Sequence, residues 1–169
     1  MKTFNKISQA LLIICIVFPS FVVAERLSKE KEENLPVEIT AEMMISYQKS
    51  NKIVFTGDVI AKRGDLNIFS DKMTVFNSKK GKEVIKIVAQ GNVKIKKGER
   101  FASGDRAVYI KKEGTLVLTG NPHAWEKENK IVAVEMIFLL DEDKFIVKGS
   151  KEKKIWLKFY PEQKKRGKK

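Results

Sequence analysis

Glycine recurs at one register along this chain, and the same short pattern surrounds it each time. The segments are Val54-Phe55-Thr56-Gly57-Asp58-Val59, Val88-Ala89-Gln90-Gly91-Asn92-Val93, Val117-Leu118-Thr119-Gly120-Asn121-Pro122 and Ile146-Val147-Lys148-Gly149-Ser150-Lys151, with the glycines 34, 29 and 29 positions apart. A second, acidic element interleaves with them: Ala41-Glu42-Met43-Met44, Ser70-Asp71-Lys72-Met73, Gly104-Asp105-Arg106-Ala107 and Val134-Glu135-Met136-Ile137. Its carboxylates are spaced by 29, 34 and 30, and the long gap coincides with the Lys79–Lys82 stretch, read as a loop insertion in one repeat. Self-similarity at such a period means one supersecondary unit used several times. Each unit reads as a strand, a turn and a strand. Turn residues at Lys49-Ser50-Asn51, Arg63-Gly64-Asp65, Lys97-Gly98-Glu99 and Glu113-Gly114 separate the runs, and no stretch keeps a helical period. The chain is therefore expected to be all-β, built from about four repeated two-strand units.

Counting outward in twos from each glycine exposes one apolar stripe. It comprises Ile53, Phe55, Val59 and Ala61, then Ile87, Ala89, Val93 and Ile95, then Leu116, Leu118, Pro122 and Ala124, then Phe145 and Val147. Side chains alternate across a strand, so a stripe in register over four repeats belongs to one face of a sheet. Glycine inside a strand weakens it, and its recurrence at one register points to a bulge, a bend or a close backbone approach. The acidic element is apolar on both faces at Met43-Met44 and Val108-Tyr109, so its inward face stays undecided. Stacked hairpins sharing one apolar face make a sandwich, a jelly roll or a β-solenoid, and the residues alone leave these open.

The first residues bear on compartment. A basic start at Lys2 and Lys6, an apolar run from Ala10 to Phe18, a break at Pro19-Ser20 and small or β-branched residues at Val22-Val23-Ala24 form the three-part pattern of a secretory signal. Cleavage is expected after Ala24, which removes the single cysteine, Cys15, and leaves a chain stabilised by burial and backbone pairing without disulfides. The apolar run is shorter than the ~20 residues that span a bilayer, so an uncleaved anchor is the weaker reading. The net charge of +13 is uneven: nine Lys or Arg face two Glu from Lys151 onward, whereas residues 25–150 carry 23 basic and 19 acidic side chains. The excess thus concentrates in a tail ending Lys164-Lys165-Arg166-Gly167-Lys168-Lys169, and the basic residues are expected to cluster there instead of interleaving with the aromatics. Such a tail is a solvated end or attracts anionic surfaces.

Little in the sequence supports chemistry. With His123 as the one histidine and no cysteine after Cys15, a typical zinc site or a Cys–His or Ser–His–Asp centre is not available. Asp141-Glu142-Asp143 lacks metal-loop spacing, and the once-per-repeat Glu42, Asp71, Asp105 and Glu135 fit a structural role at turn amides. No catalytic residue, metal ligand or cofactor is expected.

Taken together, Ile39-Thr40-Ala41-Glu42-Met43-Met44, Ile68-Phe69-Ser70-Asp71-Lys72-Met73, Phe55-Thr56-Gly57-Asp58-Val59 and Ala89-Gln90-Gly91-Asn92-Val93 resemble the OstA-like family over about Val37 to Gly149. The resemblance implies a twisted antiparallel β-jelly roll that shields lipid A acyl chains of lipopolysaccharide in a hydrophobic β-groove and bridges inner and outer membranes through the periplasm. On that reading the groove candidates are Ile53, Phe55, Val59, Ile87, Val93, Ile95, Leu116, Leu118, Phe145 and Val147. Head-to-tail self-association through edge strands is implied as well. Its candidates are Ile39, Met43 and Ile45 in one edge and Ile155, Trp156, Leu157 and Phe159 in the other. Implied partners are an inner-membrane-anchored member of the family and the N-terminal domain of an outer-membrane translocon, with no role for nucleic acid. The expected segments are a signal at 1–24, a polar lead-in at 25–36, the β-domain at 37–160 and the basic tail at 161–169. The competing readings are the membrane-anchored family member, with residues 7–23 kept as its anchor, and a basic nucleic-acid-binding β-barrel.

Overall fold

Four long strands, each bent in the middle, organise the fold. The computed structural model describes residues 35–79, 83–140, 142 and 144–161. The expected signal segment, most of the lead-in, Lys80–Lys82, Asp141, Asp143 and the tail beyond Pro161 lie outside the described residues. The strands are β1 (Glu38–Thr40), β2 (Met43–Tyr47), β3 (Lys52–Arg63), β4 (Leu66–Asn77), β5 (Val84–Lys97) and β6 (Arg100–Ile110). They continue as β7 (Thr115–Thr119), β8 (His123–Glu126), β9 (Asn129–Val132), β10 (Glu135–Leu139), β11 (Lys144–Lys148) and β12 (Trp156–Lys158). Every pairing is antiparallel.

Because β3 to β6 run through a bend, the sheet divides into two half-sheets. The first runs β2, β3 (52–56), β4 (72–77), β5 (84–90), β6 (106–110), β7, β10 and β11. The second runs β1, β3 (59–63), β4 (66–70), β5 (93–97), β6 (100–104), β8, β9 and β12. Later strands are separate pieces instead of bent ones. Between β7 and β8 stands Pro122, which has no N–H to offer a ladder.

The repeated glycines are the corners. Between Thr56 and Val59 the register shifts, and Gly57-Asp58 stand against Asp71 alone; between Gln90 and Val93, Gly91-Asn92 stand against Asp105. One extra residue per glycine strand is a β-bulge, which bends the strand and steepens its twist. The backbone there is left-handed twice in succession: Gly57, Gly91 and Gly120 have φ of 80°, 76° and 77°, and Asp58, Asn92 and Asn121 follow with 41°, 47° and 52°. Asn and Asp are the side chains that tolerate this region best, so the Gly-Asp/Asn pair answers a conformational demand.

The acidic element supplies the other half of each corner. A β-carbon on Gly57, Gly91 or Gly120 would fall within the space of the Glu42, Asp71 or Asp105 side chain respectively. Glu42 N–H donates to the Gly57 carbonyl at 3.0 Å and Asp105 N–H to the Gly120 carbonyl at 3.1 Å. The fourth repeat breaks the rule expected for Glu135. Val134 takes the corner position and gives its N–H to Lys148 at 2.9 Å, while the Glu135 carboxylate accepts from Lys148 Nζ at 2.8 Å on the sheet surface. The carboxylate spacing of 30 in place of 29 records that one-residue slip.

Inward-facing residues of both half-sheets join one buried cluster. Val59, Ala61, Val93 and Ala102 come from the second half-sheet, and Met73, Ala89, Ala107, Leu118 and Met136 from the first. The half-sheets therefore face each other across a shared core, in a twisted β-jelly roll whose strand ends leave the sheet unclosed.

Candidate functional site

The inward faces present largely apolar side chains in continuous rows that cross the strands from one open edge to the other. Nearest the corner in the first half-sheet, Met44, Phe55, Met73, Ala89, Ala107, Leu118, Met136 and Val147 stand opposite one another in turn. Two residues further out, Ser46, Ile53, Val75, Ile87, Tyr109, Leu116, Phe138 and Phe145 form a second row. The facing half-sheet answers with Ile39, Ala61, Ile68, Ile95, Ala102, Ala124, Ile131 and Leu157. Eight strands at about 4.8 Å spacing make each row roughly 34 Å long.

Burial falls away from the corner, so the space between the faces is a wedge. Leu118 and Met136 are 0% exposed, and Met73, Val59 and Val93 are 1% exposed, closing its apex. Ile87, Ile95, Leu116, Phe138 and Phe145 are part-buried against that core and form the walls toward the mouth, while Phe55 and Val147, also part-buried, carry the corner row out toward the two sheet edges. Ile53 shares their row and is part-exposed. A further row on the second half-sheet, Arg63, Leu66, Lys97, Arg100, Glu126 and Asn129, makes a polar rim in which Arg100 Nε meets Glu126 Oε1 at 3.2 Å. The groove candidates thus divide into apex (Val59, Val93, Leu118), ends of the corner row (Phe55, Val147) and walls.

Both ends of the wedge are open strand edges. Among the described residues β1 and β2 pair only with β3, β11 only with β10, and β12 only with β9. Of the edge candidates, Ile39 and Leu157 lie in the inward row, whereas Met43, Ile45 and Trp156 take outward positions. Ile155 and Phe159 flank β12 without pairing in it, and both are exposed. At one end Phe138 and Phe145 stack with centroids 4.6 Å apart, at the other Met44 is 59% exposed, and Leu157 is 59% exposed on β12. The row therefore runs out of covering protein at its termini.

Residues that the sequence left undecided complete the apex and the walls. Met73, Val75, Ala107, Met136 and Phe138 all belong to the acidic-element strands and face inward. A signal for them exists: the residue two positions past each corner residue points in, as Met44, Met73 and Ala107 do after Glu42, Asp71 and Asp105, and as Met136 does after Val134.

Polar chemistry is sparse. His123 lies on the outward face of the second half-sheet, in a hollow of about 410 Å³ shared with Ser103, Trp125 and Lys130. No group of three or more His, Cys, Asp or Glu side chains able to hold a metal occurs among the described residues. The Lys158 ammonium is held above the usual lysine range, chiefly by its hydrogen bond with the Tyr160 hydroxyl. An apolar wedge with unpaired strand edges has the means to bind by burial and to assemble by strand addition.

Comparison with known proteins agrees with this geometry. The chain is 24% identical over 169 aligned positions to the lipopolysaccharide export system protein LptA of Escherichia coli K12, covering 94% of this chain and 88% of that protein. The Shigella flexneri protein of the same name matches to the same extent. Among solved structures, LptH, described as the LptA-homologous periplasmic component of the lipopolysaccharide transport device of Pseudomonas aeruginosa, superposes with a TM-score of 0.67 at 14% identity, covering 77% of this chain and 99% of that one. That likeness establishes the fold. Residues 38–144 match the family described as LptA/(LptD N-terminal domain) LPS transport protein, and the chain belongs to that family.

Proposed function

We propose that this chain is a periplasmic lipopolysaccharide carrier that holds acyl chains in the wedge and relays them between membranes as one link of a bridge. The observation that carries the reading is the set of apolar rows running edge to edge while burial declines toward the mouth. Each methylene taken out of water is worth about 0.8 kcal/mol, so several acyl chains along the walls are retained without a covalent step. The polar rim lets the phosphorylated sugars remain in water. The reading needs no cofactor and no catalytic group.

The edges support head-to-tail assembly. Each half-sheet has eight strands of alternating direction, so a second copy placed edge to edge adds antiparallel at both half-sheets. Carrying the rows across such a junction sets Leu157 beside Ile39 of the next copy, Lys158 beside its Glu38, and Val147 beside its Met44. Apolar residues meet apolar ones, and an ammonium meets a carboxylate. An inner-membrane-anchored relative and the N-terminal domain of an outer-membrane translocon are the partners proposed for the two terminal edges.

Photo-crosslinkers at Leu116, Ile87 and Ile95 are expected to capture lipopolysaccharide, read by mass spectrometry of the adduct. A crosslinker at Val117, on the opposite face of β7, serves as the control. Equal capture at Val117, or none on the walls of a folded protein, removes the groove.

A further inference from the structure

Charge that looks balanced along the chain is sorted in space. Carboxylates gather at corners and turns: Glu42, Asp58, Asp71 and Asp105 at the former, Asp65, Glu99 and Glu128 at the latter. The outward face of the second half-sheet is left with Lys62, Lys94, Lys96, Lys130 and Lys158, all exposed, against the single described strand carboxylate Glu38. Aromatic side chains lie among these lysines. Phe69, Phe101, Trp125 and Trp156 occupy the same face, so the expectation that cations and aromatics keep apart fails once register brings distant strands together. Phe101 and Trp125 stack at 5.4 Å, and Lys96 Nζ stands 5.6 Å over the Phe101 ring.

The spread of these groups decides the size of the partner. Lys62 on β3 and Lys158 on β12 are six strand spacings apart, about 29 Å, which no single small ligand bridges. An extended anionic surface engages them all. Lysine is drawn to an anionic leaflet, and tryptophan settles at the level of the headgroups, where its ring is half in hydrocarbon and its N–H in water. A single-stranded nucleic acid fits less well. It is bound by free aromatic faces on which bases stack, and Phe101 and Trp125 already spend a face each on one another.

We propose that the outward face of the second half-sheet is a docking surface for the anionic headgroup layer of a lipid bilayer, used by a copy that is not stacked into a bridge, because the face runs along the stacking axis and lies flat on a membrane only when that axis does. The other half-sheet is the natural control. Its outward face is no less basic, with Lys52, Lys72, Lys86, Arg106, Lys144 and Lys148 against Glu135, so what sets it apart is a central aliphatic row that includes Val54, Val88, Val108 and Val117 and the absence of tryptophan.

Both tryptophans of the chain lie on the proposed surface, so its own fluorescence reports the contact. The protein in its cell-processed form is titrated with vesicles of phosphatidylglycerol and phosphatidylethanolamine, and with phosphatidylcholine vesicles for comparison. A blue shift, with quenching by brominated acyl chains, is expected for the anionic vesicles alone. Reversing Lys94, Lys96 and Lys130 to Glu should weaken binding at least tenfold. Reversing Lys52, Lys86 and Lys144, the same change in net charge, should weaken it less than threefold. Circular dichroism checks that both variants fold. Equal losses would mean that net charge alone is at work and would overturn the proposal, as would vesicle binding without a tryptophan response. A tryptophan response to a single-stranded oligonucleotide with none to vesicles would overturn it in favour of nucleic acid.

Discussion

The Asp71 carboxylate rests against the α-carbon of Gly91, on the side where any other residue would carry its side chain, and Asn92 Nδ2 donates to both of its oxygens at 3.2 and 2.9 Å. Glycine, asparagine and aspartate thus form one device from two strands 21 residues apart in sequence. Gly91→Ala is expected to combine left-handed strain, about 1–2 kcal/mol, with displacement of that carboxylate. Gly98→Ala is the comparison. Its φ is also positive, at 57°, but the nearest atom to an added β-carbon is Asp65 Oδ2 at 3.7 Å, so only the strain remains. Urea unfolding should place the Gly91 variant at least about 1 kcal/mol below the Gly98 variant.

The acidic residues should separate by repeat. Asp71→Ala removes the acceptor of two hydrogen bonds at a corner and is expected to cost about 1–2 kcal/mol, reduced by exposure. Glu135→Ala removes a surface ion pair whose side chains are 31% and 55% exposed, and should cost less than about 1 kcal/mol. Equal costs would show that Glu135 serves its repeat as Asp71 does, against the observed slip.

Most of the architecture is legible in the sequence, because the physics that builds it is local and repeated. A left-handed corner demands glycine, a two-residue period demands alternation, and both survive as spacing around Gly57, Gly91 and Gly120. What was hidden depends on pairing. Met73 and Thr74 are both buried, but only Met73 joins the inner core, and no pattern within β4 says so; its register with Phe55 and Ala89 does. The sorted charge was hidden for the same reason. Lys62, Lys96 and Lys130 are scattered along the chain and become one row only when β3, β5 and β9 are placed in one half-sheet. Along the stripe itself, sequence cannot tell apex from wall, because Leu116 and Leu118 look alike until the angle between the half-sheets is known.

That angle separates stability from binding. Leu118 is fully buried, and Leu118→Ala should cost about 2–5 kcal/mol by leaving a cavity at the apex. Leu116 is part-exposed on the wall, so Leu116→Ala should cost less than half of that. In return it should lower lipopolysaccharide retention, measured as lipid co-purifying with folded protein, while a Leu118→Met variant leaves retention unchanged. Loss of retention by Leu118→Met alone would move the lipid to the apex.

The proposed junction makes the most specific demand, since it names a pair that no single copy can form. Rows carried from β12 into β1 of a second copy bring Lys158 against Glu38, and both side chains are exposed in the isolated protein. Exposed pairs are weak, so Lys158→Glu or Glu38→Lys should each reduce the self-association constant by roughly threefold, measured by sedimentation velocity at low salt. The double swap restores the pair with its polarity reversed and should recover the original constant. A contact elsewhere on the surface would respond to each change separately, and the two losses would then multiply to about ninefold in the swap. Recovery against multiplication is a contrast that net charge cannot imitate, because the doubly swapped protein carries the same total charge as the original. Multiplication would dissolve the continuous row, and with it the ground for placing β12 beside β1.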